Sequence, residues 1–160
     1  MTICYGIEMK PDTTKKPGAL AQVVRKTASL VSVSDRDGEI AIVETKEEAL
    51  RLKEYYVSQG MFEDIHPLIR METFQPTGHF PDYGLLSAAH RYYLFADLVF
   101  GFHLSNPQSG ETDQFIFQLE EHLIGTDTTK QEKVYYADRA ERELIEKYAS
   151  AYNVSITVDL

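Results

Sequence analysis

Apolar residues along this 160-residue chain fall into short bursts separated by polar, Gly- and Pro-bearing segments, with one exception. Residues 82–102 read Asp-Tyr-Gly-Leu-Leu-Ser-Ala-Ala-His-Arg-Tyr-Tyr-Leu-Phe-Ala-Asp-Leu-Val-Phe-Gly-Phe, the most apolar and aromatic run of the sequence. Wound as a helix, this run is apolar round nearly its whole circumference, which is the pattern of a buried helix. It predicts a hydrophobic helical middle region around which the rest of the chain packs. A membrane span needs about 18 apolar residues with few charges. Here His90, Arg91 and Asp97 would all enter lipid at considerable cost, so burial in protein is expected.

The shorter bursts predict the flanking elements. Residues 2–8 have the β-branched and aromatic content of a strand. Pro17 suits the first turn of a helix reaching about Ser29, with Leu20, Val23, Val24 and Thr27 as its stripe. Residues 30–33 and 39–43 read as strands, with Asp-Arg-Asp-Gly at 35–38 as the turn. Thr45 and Glu48 form a capping box for a helix carrying Leu50, Leu52, Tyr55, Tyr56 and Val57. Gly60, tolerant of the left-handed conformation, ends it. A further strand is expected within residues 65–74.

Beyond the middle, residues 106–110 (Asn-Pro-Gln-Ser-Gly) read as a loop. Thr112 or Asp113 caps a helix through Phe115, Ile116, Leu119, His122 and Leu123, closed by Gly125; strand is the competing assignment for 114–118. Residues 134–137 are a strand. Asp138 and Glu141 form a second capping box, for a helix running to Tyr152. Asn153 is its left-handed stop, and residues 154–158 form the last strand.

Two of these segments align without gaps, residues 42–61 on residues 135–154. Cap falls on cap (Thr45, Asp138), box Glu on box Glu (Glu48, Glu141), Tyr55 on Tyr148, and stop on stop (Gly60, Asn153). Each is a strand–helix–strand unit. The expected fold is therefore α+β: a mixed sheet covered by helices, with two strand–helix–strand units flanking the hydrophobic helical middle, in a single globular domain over residues 1–160.

Charge changes the picture of partners. The net charge is −9 and is uneven: residues 1–30 carry five Lys/Arg against two Asp/Glu, and residues 31–160 carry 11 against 23. An acidic body repels nucleic acid and membrane surfaces and attracts basic proteins. Cys4 is the single cysteine, so no intrachain disulfide can form, as suits a reducing compartment. With no apolar leader at the N-terminus, a cytoplasmic location is expected.

Candidate chemistry is sparse. All five histidines (His66, His79, His90, His103, His122) lie in the middle of the chain with Asp82 and Asp97 among them. His79, Asp82, His90, Asp97 and His103 are the candidates for acid–base catalysis, should the fold bring them together in a small hydrolase or transferase. No His-Glu-x-x-His, Cys-x-x-Cys or Gly-x-Ser-x-Gly spacing occurs, so no metal site and no cofactor is expected. Residues 33–44 match a calcium loop at Asp35, Asp37, Gly38, Ile40 and Glu44, but Val33 stands where the first ligand is required. Lys15 and Lys16, before the first helix, could meet a phosphate, yet the Gly-rich pattern is missing. Cys4 in a strand reads as a small core residue.

Ten Tyr and no Trp direct attention to recognition, because tyrosine packs with one end and hydrogen-bonds with the other. Tyr55, Tyr56, Tyr135 and Tyr136, with Glu120 and Glu121, are the candidate binding residues. The leading expectation is an acidic intracellular interaction module, an inhibitor or immunity-type protein for a basic protein partner, of which a nucleic-acid-binding protein is one form; the chain itself is expected to contact neither nucleic acid nor membrane.

Overall fold

A computed structural model describes residues 1–11, 14, 16–105 and 111–159. The chain forms an α+β fold divided into two compact units, residues 1–70 with 86–93, and residues 71–85 with 94–160.

The first unit runs β1 (Thr2–Met9), α1 (Pro17–Leu30), β2 (Asp35–Asp37), β3 (Ile40–Val43), α2 (Lys46–Ser58), β4 (Phe62–Arg70). Its sheet has the order β2-β3-β1-β4 and continues through β7 (Tyr92–Phe95) and β6 (Gly84–Leu86), the two strands in which the chain crosses between units. The pairs β2–β3, β3–β1 and β1–β4 are all antiparallel. Since β1 lies between β3 and β4, the segment β3–α2–β4 is a split βαβ motif, and the whole is a ferredoxin-like βαββαβ arrangement. Its core joins Ile7 and Met9 of β1 and Ala41 and Val43 of β3 to Val23 of α1 and Ala49, Leu52 and Tyr56 of α2.

The second unit repeats this order. After β5 (Phe74–Pro76) come β8 (Val99–Leu104), α3 (Thr112–Leu119), β9 (Leu123–Thr128), β10 (Lys133–Asp138), α4 (Arg142–Ala151) and β11 (Ile156–Val158). The sheet order is β11-β8-β10-β9-β5, so β8 takes the central place that β1 holds in the first unit. The pairs β8–β10, β8–β11, β9–β10 and β5–β9 are again antiparallel. Phe100, Phe102, Tyr135 and Ala137 pack with Phe115 and Leu119 of α3 and Ile145 and Ala149 of α4.

The hydrophobic helical middle is not formed, and a mixed sheet is replaced by these antiparallel pairings. Residues 82–102 instead supply the end of a 3-10 turn (Phe80–Asp82), β6, β7 and the first part of β8. The reason is physical. A strand buried on both faces gives the same unbroken apolar run as a buried helix, and no period separates them. The breaks are supplied by turns: Ser87 N–H donates to the Arg91 carbonyl, and His90 sits at φ +59°, so the chain reverses between β6 and β7. The next reversal, between β7 and β8, is closed by Leu98 N–H donating to the Phe95 carbonyl.

Local signals fared better. α2 begins at Thr45, whose hydroxyl accepts from Glu48 N–H at 3.2 Å, and the chain turns at Gly60 with φ +67°. Asp138 accepts from Ala140 N–H at 2.8 Å, and Asn153 has φ +54°. The cap-on-cap and stop-on-stop alignment thus lies on corresponding segments of two units with one topology, although Asp138 caps a 3-10 turn (Arg139–Glu141) that leads into α4 and α4 itself has no side-chain cap. Glu48 reaches back as expected, one oxygen accepting from the Thr45 hydroxyl at 3.2 Å and the other from Ser32 N–H, whereas Glu141 pairs with His122 instead. The early hairpin is also shifted. Leu30 ends α1, and Asp35, Arg36 and Asp37 are β2 rather than the turn, which is formed at Gly38 with φ +52°. The expected loop at 106–110, and Lys15 of the basic segment before α1, lie outside the described residues.

Candidate functional site

The predicted histidines keep separate partners. His66 Nε2 lies 2.8 Å from Glu8 Oε2. His79 Nε2 donates to the Glu121 carbonyl at 3.0 Å. His122 Nδ1 is 3.2 Å from Glu141 Oε2, with its ring against Tyr148. His103 stands between Glu132 and Asp159. His90 is exposed at the β6–β7 turn, and Asp82 and Asp97 are exposed. Among the described residues no hydrogen bond or ion pair joins a histidine to Asp82 or Asp97.

The tyrosines are placed by hydrophobicity more than by their hydroxyls. Tyr56, Tyr135 and Tyr136 are buried, and Tyr55 is half-buried with its ring tilted against Tyr56. Burial pushes the Tyr135 and Tyr136 hydroxyls above their ordinary range, Tyr136 further because Asp127 and Asp159 lie near it. Three of the four tyrosines expected at a binding surface are therefore core residues. Glu120 and Glu121 are exposed.

Sequence reasoning missed a buried carboxylate in the first unit. Asp35 accepts from Ser87 Oγ at 2.5 Å, Tyr93 Oη at 2.8 Å, Arg36 N–H at 2.8 Å and Ala89 N–H at 3.4 Å. Burial alone would raise its pKa; the Ser87 hydroxyl, Arg36 amide, Tyr93 hydroxyl and Ala89 amide outweigh it and hold the group below 3.8. Burial and the Asp35 contact in turn push Tyr93 up to about 12. Cys4, fully buried, is raised to about 11 by burial and by the Glu44 charge, so its thiol is protonated and unreactive at neutral pH. This network pins the β6–β7 turn to β2. With its donors spent on Asp35, it is a structural anchor. A groove of about 650 Å³ near the end of α1 and the start of α2 is similarly self-satisfied: Glu48 accepts from Ser32 N–H and Arg51 donates to the Leu30 carbonyl.

The surface feature that stands out is on α3. Phe115 and Leu119 are fully buried, while Phe117 is 75% exposed. Helical spacing puts Asp113 one turn before Phe117 and Glu120 one turn after it, on the same side. Glu120 caps α3 and Glu121 follows, while the last turn of the helix carries no basic residue. Carboxylates at a helix C-terminus oppose the macrodipole, so this placement costs stability.

Charge divides with the units. The first has eleven Lys/Arg and eleven Asp/Glu, and the second has five against fourteen, so the entire net −9 belongs to the second unit. No helix among the described residues is long and apolar enough to cross a membrane. No family model matches the chain, and neither a curated protein nor a solved structure matches it.

Proposed function

We propose that the chain is an acidic protein-interaction module whose second unit binds a basic protein, as an inhibitor or immunity-type protein does, from a cytoplasmic location. The observation that carries this reading is the C-terminal end of α3. An aromatic side chain left 75% exposed is flanked by carboxylates at the helix end where negative charge is least favourable. A cationic partner would relieve that repulsion and give Phe117 an apolar seat, the combination of aromatic anchor and charge steering found at protein interfaces. The same charge opposes approach to nucleic acid or an anionic membrane.

The test compares the native chain with the triple variant Phe117→Ala, Glu120→Lys, Glu121→Lys, each immobilised and exposed to cell extract. The native chain should retain a discrete basic protein at about 0.1 M salt, release it by about 0.5 M salt, and lose it in the variant. Retention that ignores both salt and the three substitutions, or retention of no basic protein, overturns the proposal.

A further inference from the structure

The pleat of the second sheet assembles a group that no linear spacing reveals. On β8, His103 pairs with Thr157 of β11, and Phe102 pairs with Tyr135 of β10. Side chains alternate, so His103 shares a face with Val134 and Tyr136 on one side and with Thr157 on the other. Two residues further along those neighbours stand Glu132, before β10, and Asp159, after β11, on that same face. Asp159 is held there by its N–H, which donates to the Gly101 carbonyl at 2.9 Å. One imidazole and two carboxylates, from three separate segments, offer ligand atoms within 4.8 Å of one another.

We infer that His103, Glu132 and Asp159 bind a divalent transition-metal ion, zinc being the best fit. Asp159 Oδ1 lies 3.2 Å from His103 Nδ1, yet Nδ1 is buried and makes no hydrogen bond. The oxygen is therefore near the nitrogen but off its donor axis. That is where a second ligand lies when an ion sits on the axis, since ligands about 2.1 Å from a common ion are about 3.0–3.4 Å apart. Glu132 Oε2 lies 3.4 Å from Nε2, the other ring nitrogen, so this exposed hairpin side chain would have to turn round the ring edge to join Nδ1 and Asp159 on one ion, a move within the 4.8 Å that spans the three ligand atoms. Nitrogen with two carboxylate oxygens suits zinc and excludes the oxygen-only preference of calcium and magnesium. Three protein ligands leave a position for water or for a group of a partner. Among the described residues the first unit offers no such triad; there His66 Nε2 lies 2.8 Å from Glu8 Oε2.

Isothermal titration of the full chain with Zn²⁺, with Mg²⁺ as control, tests the assignment. One Zn²⁺ per chain should bind, Mg²⁺ should not, and Glu132→Gln and His103→Ala should each weaken binding at least about tenfold. Glu132 is exposed, so its variant keeps the fold, and a thermal melt without metal checks this for both. Flat titrations, or binding unchanged by both substitutions and therefore located on other histidines, overturn the site and leave an ion-pair cluster. Loss of zinc binding does not bear on retention of a basic protein at α3, which is read separately.

Discussion

The two units solve one folding problem twice and then diverge where folding makes no demand. Both have the βαββαβ order with the first strand central, a side-chain cap directly after the third strand, and a left-handed residue after the helix that follows. Both also place a glycine in the central strand with an aromatic residue before it, Tyr5-Gly6 and Phe100-Gly101. A Cβ on Gly6 would lie 2.8 Å from Ile40 Cγ2, and one on Gly101 would lie 2.9 Å from Tyr136 Cε1. In each sheet, side chains from flanking strands lean over the bare backbone. Yet the first unit is electrically neutral and the second carries −9. Topology follows from caps, stops and packing, whereas surface charge is free to vary. The divergence therefore lies outside what the shared topology requires.

The sharpest test of that contrast concerns the buried carboxylates. Asp35 is served by two buried side-chain hydroxyls, of Ser87 and Tyr93. Among the described residues, Asp127 accepts from the backbone of Glu72 and Thr73, both exposed residues that water can reach. Asp35→Ala should cost about 3 kcal/mol and Asp127→Ala about 1 kcal/mol in urea unfolding; equal costs would break the distinction. The Asp35 carboxyl is held below its ordinary 3.8, so its stabilisation is complete above that value and fades as pH falls through the lower folded-state pKa. The melting-temperature gap between native chain and Asp35→Asn should therefore narrow below pH 3.8.

Of intermediate size are the central glycines. Gly6→Ala and Gly101→Ala should each cost about 2 kcal/mol by overpacking. A cost at only one of them would mean that the two sheets use their glycines differently. The smallest effect is the exchange of stops. Gly60→Asn and Asn153→Gly should each change stability by less than about 0.5 kcal/mol, since both residues accept positive φ. A loss above about 1 kcal/mol in either, by the same unfolding measurement, would show that the two helix ends are not equivalent.

What could be read from the residues alone was local. Thr45, Gly60, Asp138 and Asn153 act within four or five residues of themselves, and their hydrogen bonds and φ angles are those their chemistry dictates. The gapless match of residues 42–61 with 135–154 was visible for the same reason, and so was the acidity of the chain. Tertiary structure decided the rest. Residues 82–102 hold the apolar content of a buried helix or of two-sided strands, and only the turn at His90 and pairing with neighbours select strands. Tyr56, Tyr135 and Tyr136 could pack inside or outside by their chemistry; tertiary packing put them inside, Tyr56 on α2 and Tyr135 and Tyr136 on β10. Asp35 with Ser87 and Tyr93, and His103 with Glu132 and Asp159, meet only because distant strands pair in one register. Caps and stops are contacts between near neighbours in sequence, and composition survives any rearrangement of the chain. Sites are made between segments far apart in sequence, and register alone brings those together.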